Sequence, residues 1–271
     1  MKKKSSIIAI CVISLIAIIV GCGKAVIHYG DITLLDDNHA TIKINNESMY
    51  ANARTVFYKI NDQRISGLLP ARSPFPGGGY NTGGNSTADV LEVPSGAVKF
   101  SMVMPHKFDN GTDSVVLYST TLQLTGNTSY TLHTADTAAN TQSVLIKENL
   151  ALADSGSARF HFVNLMPATP AVDIYYGASA ATAADQSSDT LLVSNLQFMQ
   201  NSPDVVLKIV GANRIWKVRA AGAAKTAAAV ISSYTSTNVP ASTRVYVGFA
   251  IGYVGKTTAA QKPYVSFMLL R

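Results

Sequence analysis

The stretch ARFHFVNLMPATPAVDIYYG, residues 158–177, carries the pattern that decides the fold. Phe160 and Phe162 alternate with Arg159 and His161, and a proline-containing turn separates this run from a second apolar run. Successive side chains of a strand point to opposite faces, so an apolar residue at every second position predicts a strand with one buried and one solvent-exposed face. The alternation therefore places His161, like His133 in a similar strand, on a solvent-exposed face.

The same alternation runs through residues 40–45, 98–104 and 216–220, and it puts Trp216, the single tryptophan, in a core. These segments are rich in Val, Ile, Thr, Tyr and Phe, the residues that strands favour. Gly, Pro, Asn, Asp and Ser interrupt them at short intervals. Two segments are ambiguous between helix and strand, residues 191–199 and 220–231, and the second also fits a loop that leads into a strand. We therefore predict an all-β protein.

The two halves of the chain resemble each other at a nearly constant offset. Four pairs of segments match in the same order: residues 40–45 with 158–163, 56–61 with 172–177, Phe100 with Val218, and 128–132 with 243–247. This order predicts two tandem immunoglobulin-like β-sandwich domains, residues 39–149 and 157–271, each with about seven strands. The alternative for each domain is an up-and-down barrel.

Residues 1–24, MKKKSSIIAICVISLIAIIVGCGK, have the features of a secretory signal: three lysines and then an apolar run. The run is shorter than the roughly 20 apolar residues of a membrane-spanning helix. It ends at Ile19-Val20-Gly21-Cys22, which resembles the lipobox of bacterial lipoproteins. The resemblance implies cleavage between Gly21 and Cys22 and a diacylglycerol on Cys22, whose two acyl chains suffice for stable anchoring. The alternative is a plain signal peptide or an uncleaved anchor.

The expected mature protein therefore begins with Cys22, and residues 22–38 form its anchor and tether. Gly23 follows the anchor where inner-membrane retention favours Asp, so we expect the outer membrane of a Gram-negative cell, facing either side. Removal of residues 1–21 takes away three lysines and lowers the net charge from +6 to +3. The remaining Lys and Arg are scattered singly, so no nucleic-acid partner is expected. Cys11 leaves with the signal, so no disulfide is expected.

No catalytic constellation is recognisable in the sequence. The five histidines, at positions 28, 39, 106, 133 and 161, include no pair spaced three or four apart, as a helical zinc site requires. The chain also lacks a Gly-x-Ser-x-Gly nucleophile elbow. The acidic segments 36–38 and 109–113 are predicted to be turns and not calcium loops. We therefore expect neither an enzyme nor a bound metal or cofactor.

The glycine-rich segment PFPGGGYNTGGN, residues 74–85, is the best candidate for a binding loop. It lacks the Gly-Lys-Ser/Thr of a phosphate loop. Long loops carry binding residues more often than the scaffold does, so Phe75 and Tyr80 are the candidate contacts to a ligand or a neighbour.

The opening of the second half contains a family motif: Pro167, Pro170, Asp173, Tyr175 and Gly177. It resembles the segment "HaSPdaPaVDVyvdG" of the domain of unknown function 4397 family, although Ala168 stands where that family has Asp. Parts of the first half, residues 124–132, also fit the family. The resemblance implies a β-sandwich-like extracytoplasmic module, often lipid-anchored, with no known reaction.

The motif has a structural interpretation. Pro167 and Pro170 stiffen the turn between two strands because each fixes φ. Asp173 is expected to cap that turn through its carboxylate, and Gly177 to supply a positive φ in the next turn.

The sequence thus predicts a lipid-anchored, non-catalytic binding or structural module whose protein or glycan partner is open. One alternative is a fimbrial or adhesin-type assembly subunit, for which residues 264–270 are the candidate donor strand, although they more simply form the last strand of the second domain. Another is a carbohydrate-binding accessory lipoprotein of a glycan-uptake system.

Overall fold

The computed structural model describes residues 36–48, 55–79, 88–105, 115–178, 180–209, 214–235 and 240–271. Within these ranges the regular structure is β-strand apart from two short 3-10 turns, at Ala138–Asn140 and Ala227–Ala229. The all-β prediction is confirmed. The described helices include none that is long and apolar enough to span a membrane. The signal, Cys22 and Tyr80 lie outside the described residues.

In the described part of the first half there are nine strands: β1 (His39–Glu47), β2 (Phe57–Ile60), β3 (Gln63–Arg64), β4 (Pro74–Phe75), β5 (Leu91–Pro94), β6 (Gly96–Met104), β7 (Val115–Leu124), β8 (Ser129–Ala135) and β9 (Gln142–Lys147). The second half carries eight: β10 (Ser157–Leu165), β11 (Val172–Gly177), β12 (Thr190–Leu196), β13 (Val205–Lys208), β14 (Ile215–Ala220), β15 (Val230–Thr235), β16 (Val245–Ile251) and β17 (Tyr264–Leu269). Of the two ambiguous segments, residues 191–199 contain most of β12, and residues 220–231 are a loop that leads into β15.

The two halves share one strand order. In the first half, one sheet has the order β5-β1-β8-β9, with β4 also pairing with β1, and the other has the order β3-β2-β6-β7. The second half repeats this with β13-β10-β16-β17 and β12-β11-β14-β15. β1 pairs with β8, and β10 with β16, in parallel, and the other pairings are antiparallel.

This order rules out the up-and-down barrel, in which each strand pairs with its neighbours along the chain. It also places the first two long strands of each half in different sheets, whereas an immunoglobulin constant domain places its first two strands side by side. All four sheets lie within one compact unit, Leu35–Arg271.

Each half has a core between its own two sheets. The first core takes Ile42 from β1 and Leu132 from β8 on one side, and Tyr58 from β2 and Phe100 from β6 on the other. These are the apolar members of the alternating segments, so the period-two pattern correctly identified one buried face of each strand.

The second core is built around Trp216, which has no exposed surface. Its ring centroid lies 4.4 Å from that of Tyr176, 4.9 Å from that of Phe160 and 4.8 Å from that of Phe267. Phe267 belongs to β17, which pairs with β16 of the same chain. The C-terminal segment is therefore the last strand of its own sheet, as predicted.

Strand register sharpens the correspondence between the halves. Phe100 lies opposite Ile60, and Trp216 lies opposite Tyr176, which makes Trp216 and not Val218 the counterpart of Phe100. Strand pairing also shifts the fourth sequence pairing, residues 128–132 with 243–247, by one residue.

That shift pairs Tyr130 with Tyr246, and the two residues make the same bond. Tyr130 accepts a hydrogen bond from the backbone N–H of Thr125, and Tyr246 accepts one from Ala241, each at 3.1 Å and each from five residues upstream. A tyrosine whose hydroxyl bonds back to the backbone a few residues upstream is a hallmark of immunoglobulin-type corners.

A third core lies between the halves. The sheet faces that point away from the first and second cores pack against each other here, through Ala135, Ile146, Val163, Leu165, Val247, Phe249, Ile251 and Met268. The rings of His133 and Phe249, which occupy equivalent positions in β8 and β16, meet with centroids 5.5 Å apart.

The third core corrects the expectation for two histidines. His133 is 0% exposed and His161 is 4% exposed, so neither lies on a solvent face. The alternation separates the two faces of a strand correctly, but it does not reveal that a second sheet covers the polar face.

The tyrosine corner generates a stability prediction. We expect Tyr246→Phe to lower the free energy of unfolding by about 1 kcal/mol, because it removes the bond to the Ala241 N–H and leaves the ring in place. Urea denaturation measures the change. Tyr234→Phe is the matched control, because the Tyr234 ring also packs on the second core. Equal losses in the two variants would contradict the role given to the corner.

Candidate functional site

The residues of the family motif in β11 converge on one polar cluster. β11 runs beside β14, with Asp173 opposite Arg219 and Tyr175 opposite Lys217. Ile174 enters the second core, so the alternating Asp173 and Tyr175 belong to the other face of the sheet. The connection from β11 to β12 lies over that face and buries it.

The centre of this cluster is Asp189, at the end of that connection. Lys217 Nζ lies 2.8 Å from Asp189 Oδ1 and 2.9 Å from Oδ2, and Arg219 donates to Oδ2 at 2.8 Å. The three side chains have no exposed surface. Arg219 also donates to the Gln186 amide oxygen, and Gln186 in turn donates to three backbone carbonyls of residues 180–183. The ion cluster therefore fastens the connection to the sheet.

Asp173 bonds to an irregular position of β12 and to the turn after β14. Its Oδ1 accepts a hydrogen bond from the Asn195 N–H at 2.8 Å, and its Oδ2 accepts one from the Gly222 N–H at 2.9 Å. Asn195 and Gly222 both have positive φ, 54° and 74°. The prediction that Asp173 caps the proline turn is thus wrong, because the residue lies inside β11 and its carboxylate bonds to β12 and to the turn after β14.

The Tyr175 ring makes cation–π contacts with two basic side chains. The ring lies 4.5 Å below the Arg219 guanidinium and 5.8 Å from Lys225 Nζ, as cation–π contacts require. Its hydroxyl donates to Asp173 Oδ2 at 3.4 Å. Burial and the nearby charge of Asp173 raise the pKa of Tyr175, so its phenol stays neutral and able to donate.

Gly177 is required for closeness and not for a positive φ. The φ of Gly177 is not positive, so the prediction that Gly177 supplies a positive φ is wrong. A Cβ on Gly177 would instead lie 2.0 Å from Asp189 Oδ1. The missing side chain therefore lets Asp189 reach Lys217.

Both prolines lie in the connection between β10 and β11, and Pro167 lies in its turn. The chain turns at Pro167 and Ala168, and Ala168 has a φ of 54°. Asn164, at the end of β10, is buried, accepts a hydrogen bond from the Met166 N–H at 3.0 Å and donates one to the Leu196 carbonyl at 2.9 Å.

The first half carries no equivalent cluster at the matching positions. Phe57 stands where the second half has Asp173, and the positions of Lys217 and Arg219 are taken by Ser101 and Val103. Lys217, Arg219, Asp189 and Gln186 were not recognised from sequence. The alternation placed Lys217 and Arg219 on a polar face. The sequence around β14 does not indicate that Asp189, at the end of the connection between β11 and β12, pairs with them.

Phe75, a candidate binding contact, lies in β4 opposite Ile44. Its ring is half-buried against the first core, with its centroid 5.8 Å from that of Tyr58. Lys43 Nζ donates to the carbonyls of Gly77, of Gly78 at 3.2 Å and of Asp89 at 3.1 Å, which ties these three residues to β1. Burial lowers the pKa of Lys43 to about 8, against the opposing charge of Asp89.

The acidic segments have a partial outcome. The Asn38 N–H donates to Asp36 Oδ1 at 2.8 Å, so residues 36–38 form the predicted turn. Residues 109–113 lie outside the described residues. Across the described ranges no group of three or more His, Cys, Asp or Glu side chains is placed to hold a metal ion.

The model of the family described as domain of unknown function 4397 matches residues 38–175, just over half of the chain. The chain belongs to this family. The match starts one residue before β1 and ends at Tyr175 in β11, so it includes the motif residues Pro167, Pro170 and Asp173. No curated protein matches the chain.

Gly177→Ala tests the close approach. The added methyl group must displace Asp189 or move the strand, so we expect a loss of about 1–3 kcal/mol in the free energy of unfolding. Urea denaturation gives the value. Gly67→Ala is the control, because a Cβ at Gly67 meets nothing within 4 Å and its φ is not positive; its change should stay within about 0.5 kcal/mol. A tolerated Gly177→Ala would mean that Asp189 has another low-energy position.

Asp189→Asn tests the ion cluster itself. It leaves two buried cations without an anion, so we expect a loss of about 3–5 kcal/mol. Asp62→Asn is the control because it breaks an exposed Lys99 pair, which should cost about 1 kcal/mol or less. Thermal and urea unfolding of both variants decide the question, and similar small effects would show that the buried cluster does not stabilise the fold.

Proposed function

We propose that the protein is a lipid-anchored component of the cell envelope whose body is a non-catalytic binding or structural module. The observation that carries this proposal is Ile19-Val20-Gly21-Cys22 after a basic segment and a short apolar run. Diacylglycerol on Cys22 would hold the mature chain at the outer membrane, with residues 22–38 as its tether. Membership of the domain of unknown function 4397 family neither supports nor opposes this role, because the description of the family names no reaction.

We further propose that the body consists of two tandem β-sandwich domains, residues 39–149 and 157–271, related by duplication. Equal strand order, the paired tyrosine corners and the repeated parallel pairing support this proposal. The architecture is immunoglobulin-like in having two facing sheets, although the first two strands occupy different sheets.

The placement of ionisable side chains supports a non-catalytic role. The Lys217–Asp189–Arg219 cluster is closed to solvent, so a substrate would have no access to it. Asp173 and Lys43 are occupied by backbone groups. Each of these charged groups holds a strand, a loop or a turn in place. Exposed loops are therefore the expected contact surfaces to a protein or glycan partner.

The two alternatives gain no support from the described residues. β17 pairs along its length with β16 and supplies Val265, Phe267 and Leu269 to the second core, so donating it would open its own sandwich. Every Phe, Tyr and Trp side chain within the described ranges is buried or half-buried, whereas a glycan platform presents exposed rings.

Cys22→Ala tests the anchor. In cells labelled with radioactive palmitate, the parent chain should incorporate label and Cys22→Ala should not, because the thioether has no sulfur to form on. Globomycin, which blocks the lipoprotein signal peptidase, should trap the parent as a larger precursor. Cys11→Ala is the matched control, since Cys11 lies inside the apolar run and should leave labelling unchanged. Unaltered processing of Cys22→Ala, with mature protein free of lipid, would overturn the anchor.

A further inference from the structure

The contact between the halves holds a charged histidine. His161 Nε2 lies 2.8 Å from Glu148 Oε2, and its Nδ1 lies 2.6 Å from Asn201 Oδ1. Both ring nitrogens face oxygen acceptors, so both carry protons. Burial works against the charged form, but the hydrogen bond and charge of Glu148, with Asn201 and Asp204, raise the pKa of His161. His161 and Glu148 therefore form a buried ion pair that joins the two halves.

The second histidine of this contact is neutral. His133 has no exposed surface, and its Nδ1 lies 3.5 Å from the Asn45 amide nitrogen, which donates to it. The ring proton then sits on Nε2, which has no hydrogen-bond partner. Phe249 covers the ring at 5.5 Å. Burial and the charge of His161 lower the pKa of His133 to about 3.

The surroundings of His133 offer poor compensation for a second positive charge. On β1, Lys43 and Glu47 flank Asn45 at two residues' distance, and Lys43 is itself cationic. From the other elements, β10 presents the cation His161, and Glu148, just after β9, is already bonded to His161. β16 presents apolar Val247, Phe249 and Ile251. A buried cation without a partner costs several kcal/mol, and exposure to water removes that cost.

We propose that the contact between the two halves is a proton-operated joint, which opens when His133 takes up a proton while each two-sheet core stays packed. The three cores are separate clusters, so the third can open without disturbing the first two. The direction of the pH effect on opening follows from the two histidines. Between pH 6.5 and pH 3 an opened joint binds a proton at His133 that the closed joint rejects, so acid favours opening. His161 acts in the opposite direction near the top of that window, because the closed joint holds its proton more tightly than the opened one.

Three single-cysteine variants of the full mature chain report the three cores separately. Ala135→Cys lies in the third core, Ala40→Cys in the first and Ala250→Cys in the second, and all three alanines are buried. In detergent solution, with Cys22 acylated, the introduced thiol is the reactive one. Its labelling by 4,4′-dithiodipyridine is measured from pH 7 to pH 4.5 and divided by the rate in the urea-unfolded chain.

We expect labelling at position 135 to rise about 20-fold from pH 7 to pH 4.5, since the opened His133 titrates near 6.5 and the tighter hold of the closed joint on the His161 proton offsets part of that gain. Labelling at positions 40 and 250 and the fluorescence of Trp216 should stay constant. His133→Gln, added to Ala135→Cys, should abolish the rise, whereas His39→Gln, which alters an exposed histidine, should preserve it. A pH-independent rate at position 135, a parallel rise at all three positions, or a rise that survives His133→Gln would each overturn the joint.

Discussion

The packing of one sheet from each half against the other is the constraint on which the rest of the structure depends. It converts the second face of β1, β8, β10 and β16 from a water-facing surface into an interior. Polar residues on those faces must then find partners inside the protein, because an unsatisfied buried group costs more than a lost hydrogen bond in water. The bonds of His161 to Glu148 and Asn201 meet that demand.

The two outermost sheets show how one strand order supports different local chemistry. In the second half, Asp189 returns from a long connection and is enclosed by Lys217, Arg219 and Tyr175. In the first half, Phe57 takes the corresponding place of Asp173 and packs under the Arg64 guanidinium at 4.2 Å. The alternation of apolar residues that builds the core is therefore common to both halves. Among the described residues, the buried ion cluster around Asp189 belongs to the second half alone.

Local pattern was sufficient for much of the fold. The alternation around Phe160 and Trp216 predicted strands and their core faces correctly, because it depends on geometry within one strand. The local pattern did not predict contacts between segments that are distant in the sequence. His161 was assigned to a wet face since the covering sheet is remote in sequence, and Gly177 was explained by φ when the decisive neighbour was Asp189, twelve residues on. Sequence comparison matched segments of the two halves, but strand pairing was needed to align Tyr130 with Tyr246.

The contact between His133 and Phe249 makes the association of the two halves specific. These two residues occupy the same place in equivalent strands, yet one is an imidazole that needs a polar neighbour and the other a hydrocarbon ring. A second copy of the first half in place of the second would set imidazole against imidazole, and the reverse exchange would remove the acceptor for Asn45. The mismatch at this point thus favours union within one chain over homotypic pairing between chains.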